Sequence, residues 1–284
     1  MQIRVENLIF LYDENTSFAR KVLDDISFDI EKGEFVGLIG HTGSGKSTLI
    51  QQLNGLLKPT SGSIYFEDKN IHEKGYSLKK LRSRVGVVFQ YPEYQLFEAT
   101  VLDDVKFGPK NIGFSAEEAD KAAREALHMV GIDDKYIKSS PIELSGGEKR
   151  RVAIAGILAM HPEVLILDEP TAGLDPKGRD DILGLVAHLH KEENITVILV
   201  SHSMNDVAKY VDRLIVMNEG SIYADGPTKE VFKQYEELEK IGLSAPVSTY
   251  VLNALKDAGL DVDTGLVTPE AAADEIARKL FNVK

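Results

Sequence analysis

Gly40-His41-Thr42-Gly43-Ser44-Gly45-Lys46-Ser47 is the stretch on which the reading of this chain turns, and it fits the pattern G-x-x-x-x-G-K-[ST]. Before it, Glu34–Ile39 is a short apolar run that predicts a strand. After it, Leu49, Ile50, Leu53, Leu56 and Leu57 recur at helical spacing and predict a helix from Lys46 to Leu57. Strand, glycine loop and helix in that order are the context that gives the pattern its chemistry. Glycines let successive backbone N–H groups turn inward around phosphate oxygens, and the helix presents its positive end to them. Lys46 is then placed to reach the β- and γ-phosphates of a nucleotide, and the Ser47 hydroxyl to ligate Mg²⁺. A chance match in a chain of this length is on the order of 1%.

Two further stretches lean the same way. Val164-Leu165-Ile166-Leu167 is a run apolar enough for a fully buried strand, and Asp168-Glu169 emerge together at its end. Asp168 is placed to hold Mg²⁺ through water, and Glu169 to polarise an attacking water as general base. In Leu144-Ser145-Gly146-Gly147-Glu148, Ser145 is a good helix N-cap and the glycines expose backbone N–H groups, a second helix start able to bind an anion.

Around these motifs the chain alternates. Ile3–Tyr12, Leu23–Ile30, Ser63–Phe66 and Val85–Phe89 read as strands. Ser115 with Glu118 marks a capping box opening a helix over Ala116–Val130, and a second helix is expected over Ser145–Met160. Strand and helix then follow in turn through Val164–Leu167, Lys177–Glu192, Thr196–Val200, Met204–Val211 and Arg213–Met217. This order predicts an α/β fold with crossover connections and a mostly parallel sheet, interrupted by a helical lobe between about Tyr91 and His161. After Gly226-Pro227 the composition changes. Lys229–Lys240 reads as one charged helix, and Val247–Ala258 and Pro269–Phe281 as two amphipathic segments of a small docking lobe.

Composition removes whole classes of function. The 284 residues are 43% hydrophobic and 27% charged, an ordinary globular balance. A formal net charge of −12 repels phosphodiester backbones, so no nucleic-acid partner is expected. Zero cysteines exclude disulfides, thiolate metal sites and cysteine nucleophiles. The first residues lack the basic-then-apolar pattern of a signal peptide, and no apolar run approaches the roughly 18–20 residues of a membrane helix. A protein that is soluble by itself, or peripheral, is the expectation.

Taken in order, Gly40–Ser47, Gln90, Leu144–Glu148, Leu165–Glu169, Ala172-Gly173-Leu174-Asp175 and His202 resemble the motif set of the ATP-binding-cassette ATPases. The resemblance runs from about Val5 to Gly226. One departure is Glu148, at a position that is commonly glutamine in the family, where glutamate is a frequent variant. The resemblance implies a P-loop NTPase core, an N-terminal antiparallel β subdomain, an inserted helical subdomain at 91–161 within a nucleotide-binding domain at 1–226, and a C-terminal helical lobe at 227–284 for dimer or partner docking. It implies ATP and Mg²⁺ as ligands, with Gly40, His41, Thr42, Gly43, Ser44, Gly45, Lys46, Ser47 and Thr48 on the nucleotide and Ser47, Gln90 and Asp168 at the metal. Ser145, Gly146 and Gly147 would close over the γ-phosphate bound to a second subunit, and Asp175 would bridge the two. Glu169, His202 and Gln90 would form the catalytic set, His202 touching the γ-phosphate and Gln90 reporting to a transport partner. For adenine stacking, Tyr12 is the first candidate, with Phe10 and Phe18 as alternatives.

Four stretches narrow the resemblance. Gly40-His41-Thr42-Gly43, Asn54-Gly55-Leu56-Leu57-Lys58-Pro59, Tyr91-Pro92-Glu93-Tyr94-Gln95-Leu96-Phe97 and Phe107-Gly108-Pro109-Lys110-Asn111 resemble energy-coupling-factor transporters, and among them the second of the two ATPase subunits. Such transporters take up vitamins and metal ions. The implied partners are a second, paralogous ATPase subunit, a transmembrane coupling subunit and a substrate-capturing membrane subunit, at the cytoplasmic face of the cell membrane. Tyr91, Glu93, Tyr94, Phe97 and Glu98 read as a groove for apolar, arginine-bearing coupling helices, or as a loop packing on its own lobe. The competing readings are the ATPase of another importer, a soluble cassette ATPase acting on ribosomes or DNA, and a regulator that binds ATP without hydrolysing it. An acidic single cassette disfavours the second, and Glu169 with His202 disfavours the third.

Overall fold

The computed structural model describes residues 1–281 of the chain. The last three residues of the expected C-terminal lobe, 282–284, lie outside the described residues. Among the described residues ten strands form, in chain order. They are Ile3–Tyr12 (β1), Arg20–Ile30 (β2), Phe35–Gly40 (β3), Ser61–Phe66 (β4), Lys69–Asn70 (β5), Val85–Val88 (β6), Val164–Asp168 (β7), Thr196–Val200 (β8), Arg213–Asn218 (β9) and Ser221–Pro227 (β10). Two sheets result, with orders β2-β1-β4-β5 and β10-β9-β3-β8-β7-β6. The first is antiparallel throughout. In the second, β9, β3, β8, β7 and β6 run parallel, and β10 joins antiparallel at the edge.

The central strands are buried along their whole length, which is why they read as unbroken apolar runs. Alternation along each strand still divides the side chains between two cores. Val36, Leu38, Ile166 and Ile198 face the antiparallel sheet, while Phe35, Leu165, Val197 and Leu199 face the helices. Three helices occupy the stretch between β6 and β7: Val101–Ile112, Ala116–Met129 and Gly146–Leu158. Capping boxes start two of them, Ser115 with Glu118 and Ser145 with Glu148. Beyond β10, Val247–Asp257 and Pro269–Phe281 enclose a small core of Leu252, Val262 and Ala272.

Several boundaries differ from expectation. The first helix spans Lys46–Leu53 and stops short of Leu57, because Gly55 takes a left-handed φ of 69° and its N–H turns back to the Gln52 carbonyl. The charged helix expected over Lys229–Lys240 is two short ones, Thr228–Lys233 and Tyr235–Lys240, separated at Gln234. Helix Val101–Ile112 forms despite Gly108-Pro109, capped by the Thr100 hydroxyl accepting from the Asp103 N–H. Leu78–Arg84 and the edge strand β10 are also beyond what the sequence pattern predicts.

Candidate nucleotide site

The end of β3 and the start of helix Lys46–Leu53 meet at the glycine loop, where the backbone leaves little choice of residue. A Cβ on Gly40 would sit 2.4 Å from the Met217 carbonyl oxygen. Gly45, at φ 102°, would bring one to 2.8 Å from Leu23 and 2.9 Å from the Val22 carbonyl. Lys46 is buried, its Nζ donating to the Gly40 carbonyl at 2.7 Å and the His41 carbonyl at 3.1 Å. Burial lowers its proton affinity, and Glu169 and Asp168 act against that.

The carboxylates arrive on the neighbouring strand but one. Asp168 closes β7 and is buried; burial raises its pKa, with the Ser47 hydroxyl and then Lys46 opposing. Glu169 follows in the left-handed region at φ 50°, a conformation that costs a non-glycine residue roughly 1–2 kcal/mol. Its N–H donates to the Val200 carbonyl at 3.0 Å, which ties the turn to β8. Burial is the main reason that its carboxyl is pushed up to about 7. His202, just past β8, brings Nε2 to 3.1 Å from Glu169 Oε1, and burial keeps the imidazole below its ordinary pKa. Burial thus works against charge on both groups beside a buried lysine, and a carboxyl at about 7 is about half ionised at neutral pH.

One cavity of about 540 Å³ gathers these groups. Tyr12, Thr42, Gly43, Gly45, Lys46, Ser47, Thr48, Gln90, Asp168, Glu169 and His202 all line it. N–H groups in the first turn of a helix have no intrahelical acceptor, so the helix start at Lys46–Thr48 offers donors to whatever enters. Tyr12 stands at the rim, with its hydroxyl 3.4 Å from Thr48 Oγ1 and its ring edge-on to Phe10. Phe10 is core and Phe18 lies off the cavity, so Tyr12 is the aromatic that the structure places there. Arg20 and Val22 also line it, and sequence reading missed both. The signal was the hairpin: in the β1–β2 register Tyr12 pairs with Arg20.

Other expected residues sit elsewhere. The His41 ring binds the Thr42 carbonyl at 2.8 Å and Asn218 Oδ1 at 3.1 Å, and Ser44 is wholly buried, so neither side chain lines the cavity. Gly40 supplies its carbonyl to Lys46 and likewise stays off the lining. Ser145, Gly146 and Gly147 begin helix Gly146–Leu158 away from the cavity, with Ser145 exposed and its hydroxyl 2.6 Å from Glu148 Oε2. Asp175 caps helix Pro176–Glu193, its Oδ1 accepting from the Gly178 N–H at 2.8 Å.

A separate groove of about 560 Å³ lies beside the helical insertion, lined among others by Leu96, Phe97, Asp104, Phe107 and Met160. Phe97 and Phe107 meet edge to face at 4.9 Å. Asp104 accepts from the Phe97 and Glu98 N–H groups, at 3.3 and 3.0 Å. Tyr91, Glu93, Tyr94 and Glu98 do not line this groove. Glu93, expected as a free docking charge, is instead bound bidentately by Arg150, because a buried guanidinium needs a carboxylate.

The profile of the ABC transporter family matches residues 23–172, and an AAA-domain profile matches residues 140–206. Over its whole length the chain is 54% identical to the energy-coupling factor transporter ATP-binding protein EcfA2 of Clostridium tetani, covering 99% of that protein. The chain belongs to this family of ABC transporter ATP-binding proteins. The Enterococcus faecalis relative of the same description is 47% identical, over 99% of this chain and 98% of its own. Among solved structures, cbiO1 of Clostridium perfringens, part of the ABC transporter complex cbiONQ, superposes with a TM-score of 0.74. It is 42% identical, over 84% of this chain and 93% of its own. A dimeric ATP-binding cassette in a post-hydrolysis state with ADP and phosphate gives a TM-score of 0.71 at 31% identity, over 80% of this chain and 98% of its own. The P-loop NTPase fold with mostly parallel sheet, antiparallel β subdomain and inserted helices is thus the fold of this ABC family member. No helix among the described residues is long and apolar enough to cross a membrane.

Proposed function

We propose that this chain binds MgATP in the 540 Å³ cavity and hydrolyses it to energise uptake of vitamins or other micronutrients through an energy-coupling factor transporter. The observation that carries the reading is the convergence of Lys46, Ser47, Gln90, Asp168, Glu169 and His202 on one cavity from four separate stretches of sequence. Tyr12 stacks on the adenine, with Arg20 beside it, and Lys46 binds the β- and γ-phosphates. Ser47 and Asp168 suit Mg²⁺, which takes one or two protein oxygens and completes its shell with phosphate and water. Burial of Asp168 without a paired cation at contact distance among the described residues fits that role. When bound, the ion neutralises phosphate charge.

Glu169 takes the proton of the attacking water as its oxygen bonds to the γ-phosphorus and the bridging oxygen leaves with ADP. A carboxyl that titrates near 7 is well matched to that task at neutral pH. His202 and Gln90 orient the water and the γ-phosphate. Ser145, Gly146 and Gly147 of one subunit complete the site of the other, with Asp175 between them, in a paralogous heterodimer on the cytoplasmic face of the membrane. Residues 1–226 form the nucleotide-binding domain, 91–161 its helical insertion, and 227–284 a docking lobe. The groove at Phe97 and Phe107 receives a helix of the transmembrane coupling subunit, which works with a substrate-capturing subunit.

The test is ATP turnover and vitamin uptake by the complex purified with its membrane partners. Lys46→Ala should lose MgATP binding, and Glu169→Gln should keep it while turnover falls by about 10²-fold or more. Native turnover in either variant would refute the assignment.

A further inference from the structure

Arg150 is the largest fully buried side chain that carries a charge, 2% exposed on helix Gly146–Leu158. Its Nε and Nη2 donate to the two carboxylate oxygens of Glu93, at 3.1 and 2.7 Å. Its Nη1 donates to the carbonyls of Pro170 and Ala172, at 2.8 and 2.9 Å. One rigid guanidinium on this helix thus holds two other pieces of chain. Glu93 lies three residues past Gln90 and just before Gln95, Leu96 and Phe97, which line the groove. Pro170 and Ala172 flank the turn that follows Glu169, closed by the Ala172 N–H donating to the Glu169 carbonyl at 3.1 Å. The two segments also approach at Gly173, φ 76°, where an added Cβ would come within 3.8 Å of the Tyr91 ring.

We propose that Arg150 is a positioning residue that locks the Glu169 turn to the Glu93 segment, so that the nucleotide site and the partner groove move as one. The inference rests on the proposed ATPase reading of the site. Guanidinium geometry is essential to it, because four bonds in one plane fix two segments at once, while an ammonium is a single point of charge. Arg150 does not line the cavity, so nucleotide affinity does not depend on it directly.

The experiment compares wild type, Arg150→Lys, Glu93→Gln and the double variant in the assembled transporter, measuring MgATP affinity, kcat, and uptake per ATP hydrolysed. Both single variants should keep MgATP affinity within about threefold while kcat or uptake per ATP falls on the order of tenfold. The double variant should be no worse than the worse single one, since both changes cut the same link. Losses that multiply, or normal kcat and uptake per ATP in every assembled variant, overturn the proposal, the latter leaving Arg150 as packing alone. Where Arg150→Lys fails to assemble, Glu93→Gln, which leaves the arginine and its carbonyl bonds in place, decides alone. A wild-type complex that hydrolyses no ATP would refute the proposed function instead, a separate result.

Discussion

Glutamine in place of Glu169 should make the nucleotide-free chain more stable at alkaline pH and no more stable in acid. Burial raises the Glu169 carboxyl from its ordinary 4.5 to about 7, with the Asp168 charge adding to the rise and Lys46 opposing it. Because the folded-state value lies above the unfolded one, the stability this group lends is fully present below pH 4.5 and is lost as pH rises through about 7. At about 1.4 kcal/mol per tenfold change in proton affinity, the loss amounts to about 3 kcal/mol. A glutamine has no proton to lose and escapes it. Its amide can also donate toward His202 Nε2, which lies 3.1 Å from Glu169 Oε1 and is kept neutral by burial. Thermal melts of the nucleotide-free chain at about pH 8.5 should show Glu169→Gln raising the midpoint by roughly 5–10 °C. Near pH 5 the two proteins should melt within about 2 °C of each other. An equal shift at both pH values, or destabilisation at the higher one, would refute a buried, proton-holding carboxyl. The variant that is more stable is also the one expected not to turn over, a trade of stability against function at the site.

The same titration governs rate: kcat/KM for MgATP should rise about tenfold from pH 6 to pH 8 as Glu169 ionises, and a flat profile would remove it as the base. Gly40→Ala drives a Cβ to 2.4 Å from the Met217 carbonyl oxygen, and should cost about 1–3 kcal/mol in melts and weaken MgATP binding; a native-like melt would contradict the close approach. Glu93→Lys sets a like charge against buried Arg150 and should cost about 3–5 kcal/mol, read as poor folding. Glu98→Lys, at a residue with no ion pair among the described residues, should leave the melt within about 0.5 kcal/mol, and equal losses in both would sink the distinction.

What the sequence disclosed about the site was local in origin. The glycine loop is legible because close backbone approach at Gly40 and Gly45 excludes other residues, and β7 because a strand buried on both faces must be apolar throughout. The capping box at Ser115 and the N-cap at Ser145 are signals a few residues long and came through for the same reason, though the box that Glu148 completes at Ser145 did not. Helix Val101–Ile112 did not, since Gly108-Pro109 looks like a stop. Pro109 is tolerated near the C-terminal end of a helix already anchored through buried Val101, Leu102 and Val105. Arg20 escaped notice because its place opposite Tyr12 depends on the register of a hairpin, which neither residue announces alone.

Glu93 shows where such reading reaches its limit. In sequence it stands among aromatic and acidic residues and looks like Glu98, five positions on, a charge available to a partner. What separates the two is an arginine 57 residues away, brought in by a helix whose own start reads only as an anion site. Burial then decides the matter: a guanidinium 2% exposed cannot be left unpaired, so the partly buried Glu93 is committed to it, and only charges outside that bond remain for docking. The acidic side chain on the groove itself is Asp104, already accepting from two backbone N–H groups. Lys79 and Arg82 line the groove as well, so an entering helix would meet both signs of charge, the carboxylate among them held in place by the chain it must move. The groove and the Glu169 turn are therefore joined through fixed hydrogen bonds at both ends, Asp104 to the Phe97–Glu98 backbone and Arg150 to the Pro170–Ala172 backbone, with the Glu93 segment between them.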